Sequence, residues 1–302
     1  MGSPLTNIGT NTDAYGPAEW ALTLTIGLIW GSAFLWIALG VDHLSPGVVA
    51  FSRVALGAAA LSLSPKARRR IERADWGRIA TVAVVGNAAP ALLFAVAETE
   101  LDSAVAGMIT SGTPILSLVV ASFLLRALPP RTQAIGIGLG FLGIVMMTLP
   151  SLQGSQSAPT GVGLVFLATV GYGISGNLLV PLQQRYGGPA VTLWALVASS
   201  VVLAPFGLAT LAESEFTSSS VIAVVILGVV GTGIARSLAA TLAGRVGAPR
   251  MSTTTYLIPV VAIVLGVVFR DETVSPIAII GVVVVLGGAF IASRAVVVAQ
   301  AD

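Results

Sequence analysis

Uninterrupted apolar runs of about 20 residues recur along almost the whole chain, and this length is what a helix needs to cross a bilayer. Lipid offers no partners for backbone polar groups, so a spanning segment must be a helix or a strand of a closed barrel. Barrel strands are short and alternate in polarity, whereas these runs are long and continuously apolar. The sequence therefore predicts an all-α polytopic membrane protein.

Composition agrees with this fold class and excludes a soluble domain. The chain has 302 residues, of which 55% are hydrophobic and only 9% are charged, whereas a soluble domain carries about 25% charged residues. It has no cysteine, which excludes disulfides and thiolate metal sites. We expect no metal, no cofactor and no nucleic-acid partner, and we expect the lipid bilayer as the surrounding medium.

Ten transmembrane helices are predicted, separated by short connections with Pro, Gly or charged residues. Residues 1–17 have no basic region followed by an apolar core, so we interpret them as a flexible tail and expect no cleavable signal peptide. The predicted spans are 18–40, 46–64, 76–97, 103–125, 131–150, 160–181, 189–211, 218–242, 251–269 and 275–297.

The positions of the basic residues predict the orientation of these spans. Twelve of the fifteen Lys and Arg residues fall on one side of the predicted bundle, with the densest group at 66–78 between spans 2 and 3. Basic loops are retained in the cytoplasm. We therefore expect a bacterial inner-membrane protein with both termini in the cytoplasm.

The chain also repeats itself at an offset of 145 residues. Pro114 corresponds to Pro259, and "VVGN" at 84–87 corresponds to "VVGT" at 229–232. The two repeats, 18–150 and 160–302 with a linker at 151–159, contain five spans each. An odd number of spans makes the second repeat enter the membrane from the opposite face, which predicts inverted repeats around a central cavity.

The paired prolines are candidate hinges. Each removes a backbone donor from its helix, and Thr110 and Thr255 lie four residues earlier on the same helical face. Matched kinks in spans 4 and 9 would bow two helices around the cavity. The alternative is that Pro114 and Pro259 only affect packing, since proline is common in membrane helices.

Polar side chains inside a bilayer are costly and often functional, which makes a few of them candidate binding residues. Arg236 in span 8 either extends to the cytoplasmic headgroups or binds a substrate carboxylate. Asn87 and Thr232 occupy matched repeat positions, where they form an interhelical hydrogen bond or line the cavity. Asn177 in span 6 has the same two interpretations.

Aromatic residues within the spans are candidate cavity surfaces, namely Trp30, Phe94, Tyr172 and Tyr256. No Asp or Glu falls at the centre of a predicted span, and Glu19 and Glu98 lie near span ends. A buried carboxylate relay is frequent in proton-coupled carriers. Facilitated flow or exchange is therefore at least as compatible with the sequence as proton antiport.

With these features the chain resembles the EamA-type branch of the drug/metabolite transporter superfamily. The resemblance rests on "IWGSAFLWIALG" at 29–40, the Pro46 to Arg53 spacing, the two prolines and "FRDETVSPIAIIGVVVVLGGAFIAS" at 269–293. The first repeat departs from the pattern, because "LLRALPPRTQAIG" has Arg-Ala where the family has Gly-Glu. The resemblance implies that spans 1, 3, 4, 6, 8 and 9 surround the cavity and that spans 5 and 10 pack peripherally.

The resemblance implies a secondary transporter that exports small metabolites by alternating access. Bacterial exporters of amino acids, including aromatic or apolar ones, are the members that the chain resembles most. The resemblance also implies a small-molecule substrate, a monomer or weak homodimer, and no enzymatic activity. Efflux of drugs or cationic metabolites is the alternative. A channel or an intramembrane enzyme is a rival class, although the single histidine excludes an H-E-x-x-H zinc site. The predicted substrate-binding residues are Trp30, Asn87, Phe94, Thr110, Tyr172, Asn177, Arg236, Thr255 and Tyr256.

Overall fold

The computed structural model describes residues 16–125, 131–150 and 158–298, and within these ranges the chain folds into helices with no strand. Most of the predicted tail at 1–17 and of the linker at 151–159 lies outside the described residues. The α-helices are α1 (Pro17–Val41), α2 (Pro46–Ser62), α3 (Trp76–Ala83), α4 (Ala89–Ala97), α5 (Ser103–Thr110), α6 (Thr113–Leu125), α7 (Arg131–Thr148), α8 (Ala158–Tyr186), α9 (Gly188–Ala209), α10 (Ser218–Ile226), α11 (Ala235–Met251), α12 (Ile258–Arg270) and α13 (Pro276–Val298).

These helices fall into the ten predicted spans, because four spans are built from more than one helical segment. Five stretches are long and apolar enough to cross a membrane, and four shorter apolar helices accompany them. The long stretches are Pro17–Val41, Arg73–Ala97, Pro159–Gly176, Gly188–Ala209 and Ser218–Leu242. The prediction of an all-helical polytopic membrane protein is confirmed.

Spans 3 and 8 each contain a π-helical segment at matched repeat positions. Val84–Ala88 joins α3 to α4, and Leu227–Ile234 joins α10 to α11. In both, a side chain donates to the carbonyl five residues earlier, from Asn87 to Val82 at 3.1 Å and from Thr232 to Leu227 at 2.9 Å. Such segments widen the helix and frequently mark functional sites.

Spans 4 and 9 are interrupted just before their prolines. Span 4 breaks between α5 and α6, and Pro114 is the second residue of α6. The hydroxyl of Thr113 donates to the Thr110 carbonyl at 2.6 Å, which is the acceptor that an N–H at position 114 would normally satisfy. In span 9 a 3-10 turn, Ser252–Tyr256, precedes α12, where Pro259 is again the second residue.

Spans 5 and 10 pack against each other along an edge of glycine residues. A Cβ added at Gly143 would lie 2.6 Å from the Gly281 carbonyl oxygen, and one at Gly288 would lie 2.7 Å from the Gly136 carbonyl oxygen. Glycines that let two backbones approach this closely are the usual means of packing membrane helices. The α7–α13 pair therefore joins the two repeats.

Helix α1 reaches the interior because its glycines let it cross the second repeat closely. Gly27 lies against Leu257 and Gly31 against Val261, with no room for a methyl group at either position. Beyond this crossing, Phe34 and Ile37 of α1 belong to the largest buried cluster, which also takes in side chains from α4, α5, α8 and α12. Of the functional candidates, Phe94 belongs to this cluster, and Trp30, Tyr172 and Tyr256 pack against it.

Candidate functional site

Arg236 turns into the protein rather than toward the headgroups. Its guanidinium donates from Nη1 to the Gly86 carbonyl at 3.2 Å and from Nη2 to the Tyr172 hydroxyl at 3.4 Å. Its Cζ lies 5.4 Å from the centroid of the Tyr172 ring, in a cation–π arrangement. Arg236 thus links α11 to the π-helical segment of span 3 and to α8, and these contacts are not the ones that an arginine extending to the headgroups would make.

The Gly86 carbonyl is available to Arg236 because of a proline. In a regular helix the N–H of residue 90 would donate to the carbonyl of residue 86, but Pro90 has no N–H. The adjacent helix also approaches closely, since a Cβ on Gly86 would lie 2.5 Å from the Ser175 Cβ. Pro90 and the π-helical segment therefore present a backbone acceptor to the interior.

An aromatic row continues from the arginine. The Tyr172 ring stacks on Phe94 with centroids 5.9 Å apart, and Phe94 meets Phe34 edge to face at 5.6 Å. Phe94 and Phe34 are buried, whereas Tyr172 is half-buried. The row joins α8, α4 and α1, and it ends at Arg236, so one fixed cation adjoins an apolar aromatic surface.

A second guanidinium lies near the first. Arg53 of α2 is buried and donates from Nε to the Thr232 hydroxyl at 3.2 Å, which fixes the π-helical segment of span 8. The charges of Arg53 and Arg236 repel each other. Neither arginine takes part in the ion pairs formed by the described residues. The interior therefore has an excess of positive charge near Tyr172.

Two of the predicted binding residues form hydrogen bonds to the backbone of their own spans. Asn87 is buried and its amide donates to the Val82 carbonyl, so it shapes the π-helical segment. Thr110 is buried at the break in span 4, where its hydroxyl donates to the Ala106 carbonyl. Neither of the two interpretations offered for Asn87, an interhelical bond or cavity lining, describes this hydrogen bond.

Trp30 and Tyr256 lie at the crossing of α1 with the start of span 9. Both are half-buried and pack on the largest buried cluster. Within the described ranges, no hydrogen bond or ring contact joins either residue to Arg236. Thr255, next to Tyr256, is buried, and the side chain of Asn177 lies outside the described residues.

We use the name outer end for the end of the protein where α1 and α4 finish. There, span 4 contacts span 9 and the turn that follows it. The Glu272 carboxylate accepts hydrogen bonds from the Ser103 hydroxyl at 2.6 Å and from the Ser103 and Ala104 N–H groups at 2.9 Å each. A carboxylate is favourable at a helix N-terminus, here that of α5. At Gly107, a methyl group would overlap Ala262 of α12.

Arg270 pairs with Asp42 beside this contact and joins α12 to the end of α1. We use the name outer closure for Ser103, Ala104, Gly107, Ala262 and Glu272. It joins span 4 of the first repeat to span 9 and the following turn of the second repeat. This contact was not predicted from the sequence.

At the opposite, inner end a different set of polar contacts holds α8 to the start of span 3. The buried Asp75 carboxylate pairs with Arg185 at 2.7 Å and accepts a hydrogen bond from the Tyr186 hydroxyl at 2.6 Å. Glu72 pairs with the same arginine at 2.6 Å on the surface. These contacts fix α8, which positions Tyr172 farther along the helix.

Residues 19–149 and 159–294 each match the EamA-like transporter family. The chain belongs to this family. The two matches together span almost the whole described chain, so the resemblance stated from the sequence is confirmed.

Relatives of this EamA-like transporter include proteins named as exporters. It is 27% identical over 285 residues to a "Probable terminal-alkyne amino-acid exporter" of Streptantibioticus cattleyicolor, with 92% of this chain and 93% of the relative covered. It is 22% identical to a "Probable amino-acid metabolite efflux pump" of Salmonella typhimurium, with 89% and 93% covered. A solved protein structure at 18% identity covers 91% of this chain and 96% of its own with a TM-score of 0.64, which shows the shared fold.

The site of this EamA-like transporter combines a cationic group with aromatic surfaces. Among the described residues, no group of three or more His, Cys, Asp and Glu side chains is placed to hold a metal ion. Arg236 offers a planar fork suited to a carboxylate, and Tyr172 and Phe94 offer aromatic faces. Sequence reasoning found these three side chains but missed the Gly86 carbonyl, for which Pro90 four residues later was the available signal.

Proposed function

We propose that the protein is a secondary carrier that exports amino acids with aromatic or apolar side chains. The carboxylate of the substrate binds Arg236, and its side chain lies along Tyr172 and Phe94. One observation carries this proposal above all: Arg236 lies in the interior, bonded only to a carbonyl and a hydroxyl, without an acidic partner among the described ion pairs.

A half-buried guanidinium with only neutral hydrogen-bond partners favours the arrival of an anion. A hydrogen bond between an ionised donor and an ionised acceptor is about twice as strong as one between neutral groups. A substrate carboxylate would therefore displace the Gly86 carbonyl or the Tyr172 hydroxyl at a gain. Arg53 adds positive charge nearby, and its own bond to Thr232 leaves Arg236 as the side chain that joins three different spans.

The charge of the interior weighs against a lipophilic cation as substrate. Arg53 and Arg236 place two guanidinium groups there, whereas Glu98 lies just past the end of α4, near the outer closure. A cationic drug would meet net repulsion at Tyr172. The printed names of the two exporter relatives agree with an amino-acid substrate for this chain.

Alternating access supplies the mechanism that we propose. Spans 4 and 9 meet at the outer closure, and each is interrupted before its proline, so their inner and outer parts can change angle independently. We take the inner end to be cytoplasmic and the outer closure to be periplasmic, because the basic residues at 66–78 lie at the inner end. A cysteine at Ser64 should react only from the cytoplasmic side, and one at Ser155 only from the periplasmic side.

Counterflow in proteoliposomes tests the substrate. Vesicles containing the purified chain are loaded with unlabelled L-phenylalanine and diluted into labelled L-phenylalanine, so that a carrier accumulates label transiently. Externally added L-leucine should compete, whereas L-phenylalaninamide, which lacks the carboxylate, should compete at least ~10-fold more weakly, as expected for loss of a charge-assisted pair. Equal competition by acid and amide would overturn the assignment, and non-saturable flux without counterflow would indicate a channel.

A further inference from the structure

Glu98 is a buried carboxyl that the proposed transport site does not use. It follows the last residue of α4, where a solvated position would be ordinary, yet the residue is only 7% exposed. Neither Oε1 nor Oε2 has a hydrogen-bond partner among the described atoms. A charged carboxylate in such a place is very costly, whereas the protonated acid is tolerated.

Several elements enclose this carboxyl. Helix α8 packs over the turn after α4, since Gly161 lies against the Ala97 carbonyl and Leu101. The Ala38 N–H of α1 faces the carboxyl without completing a hydrogen bond. The turn then leads into α5, whose first residues hold Glu272. Burial of Glu98 thus depends on the same short segment that forms the outer closure.

The charged groups around Glu98 do not neutralise it. Arg53 of α2 and Arg270 of α12 attract its negative charge, but neither forms an ion pair with it, and Arg270 is already paired with Asp42. Glu272 repels it. The facing part of α8, residues 158–171, has no Asp, Glu, His, Lys or Arg. Burial consequently dominates and raises the pKa of the Glu98 carboxyl well above its usual value.

We propose that Glu98 is a proton-binding site that controls the periplasmic face of the carrier. The carboxyl holds one proton while Ser103 and Ala104 are closed onto Glu272, and it releases that proton to the periplasm when the closure opens and water reaches the turn. The ligand is the proton, and the effect is that an acidic periplasm favours the closed face.

The direction of the pH effect follows from linkage. With the closure open, Glu98 is hydrated and has an ordinary pKa of about 4.3, and with the closure shut its pKa is raised. Closing therefore takes up a proton at any pH between these two values. The closed state is fully favoured below the open-state pKa and loses up to tenfold in population for each pH unit above it, until the closed-state pKa is passed.

A substrate-free test uses the absence of native cysteine. Val105 is buried in α5 beside the outer closure, so Val105→Cys should react with a membrane-impermeant maleimide only when the periplasmic face opens. The labelling rate is measured from pH 5 to pH 8 with Glu98 present and in Glu98→Gln. The rate of the chain with Glu98 is divided by the rate of the Gln variant. This ratio removes the pH dependence of the thiol itself, which is common to both.

The labelling rate of the chain with Glu98 divided by that of the Gln variant should rise with pH by up to tenfold per unit, because only the chain with Glu98 must release the proton of that carboxyl on opening. Burial also raises the pKa of Asp102 in the same turn, but Asp102 is present in both chains and its contribution cancels. Glu98→Met, which is neutral and apolar, should behave like the Gln variant, and Glu100→Gln on the exposed part of the same turn should behave like the parent chain. All variants are compared as monodisperse full-length protein. A ratio independent of pH would overturn the proposal, as would a Glu100→Gln profile like that of Glu98→Gln.

This inference rests on the proposed transport function only in requiring that the periplasmic face opens. It does not depend on the substrate being an amino acid. If phenylalanine and its amide compete equally but the labelling ratio still rises with pH, the substrate assignment fails and the proton site stands. If the labelling ratio does not change with pH but counterflow still prefers the acid to the amide, the proton site fails and the substrate assignment stands.

Discussion

Gly86 and Arg236 are 150 residues apart in the chain, and the guanidinium of one donates to the carbonyl of the other at 3.2 Å. This bond joins the two repeats through a backbone acceptor that a proline leaves available. It also explains why a costly arginine can be kept in a membrane helix. Its acceptor is neutral, and that is the feature from which the transport proposal starts.

Replacing Pro90 should weaken the Arg236 site. Pro90→Ala restores an N–H that competes for the Gly86 carbonyl, so the guanidinium loses a fixed partner and transport should fall several-fold. Phenylalanine counterflow measures the effect, with folded yield from size-exclusion chromatography as a reference. Pro205→Ala in α9, a proline within a helix away from Arg236, is the matched control and should transport normally. Equal rates for both variants would contradict the role of Pro90.

The helix breaks at Pro114 and Pro259 should matter for movement more than for stability. Pro114→Ala and Pro259→Ala allow continuous helices, so we expect slower transport with a smaller loss of folded yield. Transport rate and yield are measured on the same preparations. Two variants that transport at the parent rate would show that the breaks serve packing alone, which was the alternative in the sequence interpretation.

Glu272 should keep the outer closure shut. Glu272→Gln removes the negative charge from the N-terminus of α5, an interaction of about 0.3–2 kcal/mol. The opening probability should rise by about 2- to 30-fold, read as faster labelling of Val105→Cys at constant pH. Asp271→Asn is the matched control, because Asn tolerates the left-handed backbone at this exposed residue. Unchanged labelling in Glu272→Gln would show that the carboxylate does not keep the outer closure shut.

Asp75 should stabilise the inner end. Asp75→Asn loses the ionic acceptor for Arg185 and Tyr186 at a buried position and should destabilise the protein by about 1–3 kcal/mol. A lower Tm in detergent checks this. Glu72→Gln removes a surface partner of the same arginine and should cost at most ~1 kcal/mol. A Glu72 variant that is as unstable as the Asp75 variant would contradict the importance of burial here.

The sequence was sufficient for the helices and the repeats, because apolar run length and a fixed offset can be read from residue identity alone. It also drew attention to Arg236, Tyr172 and Phe94, which the structure places next to one another. It was insufficient for Asn87, whose amide turns back to Val82 once the segment becomes π-helical. Whether an interior asparagine bonds its own helix or a neighbour depends on local backbone geometry, which residue identity alone does not determine.

The burial of Glu98 also could not be predicted from the sequence. The residue's position near the end of a predicted span gave no reason to expect a proton site. The burial comes from α8 and from the turn leading into α5, which are distant or differently folded parts of the chain. Such coverage depends on tertiary packing and has no signature in the residues next to Glu98.

The measurement that tests the account most directly is phenylalanine counterflow by Arg236 variants, with competition by the acid and the amide. Arg236→Ala should reduce transport at least ~10-fold and abolish the preference for the acid, and Arg236→Lys, which keeps the charge but loses the fork, should keep part of both. Arg245→Ala, at an exposed arginine paired with Glu19, should match the parent chain. Normal transport by Arg236→Ala, with the preference for the acid intact, would contradict the carboxylate site.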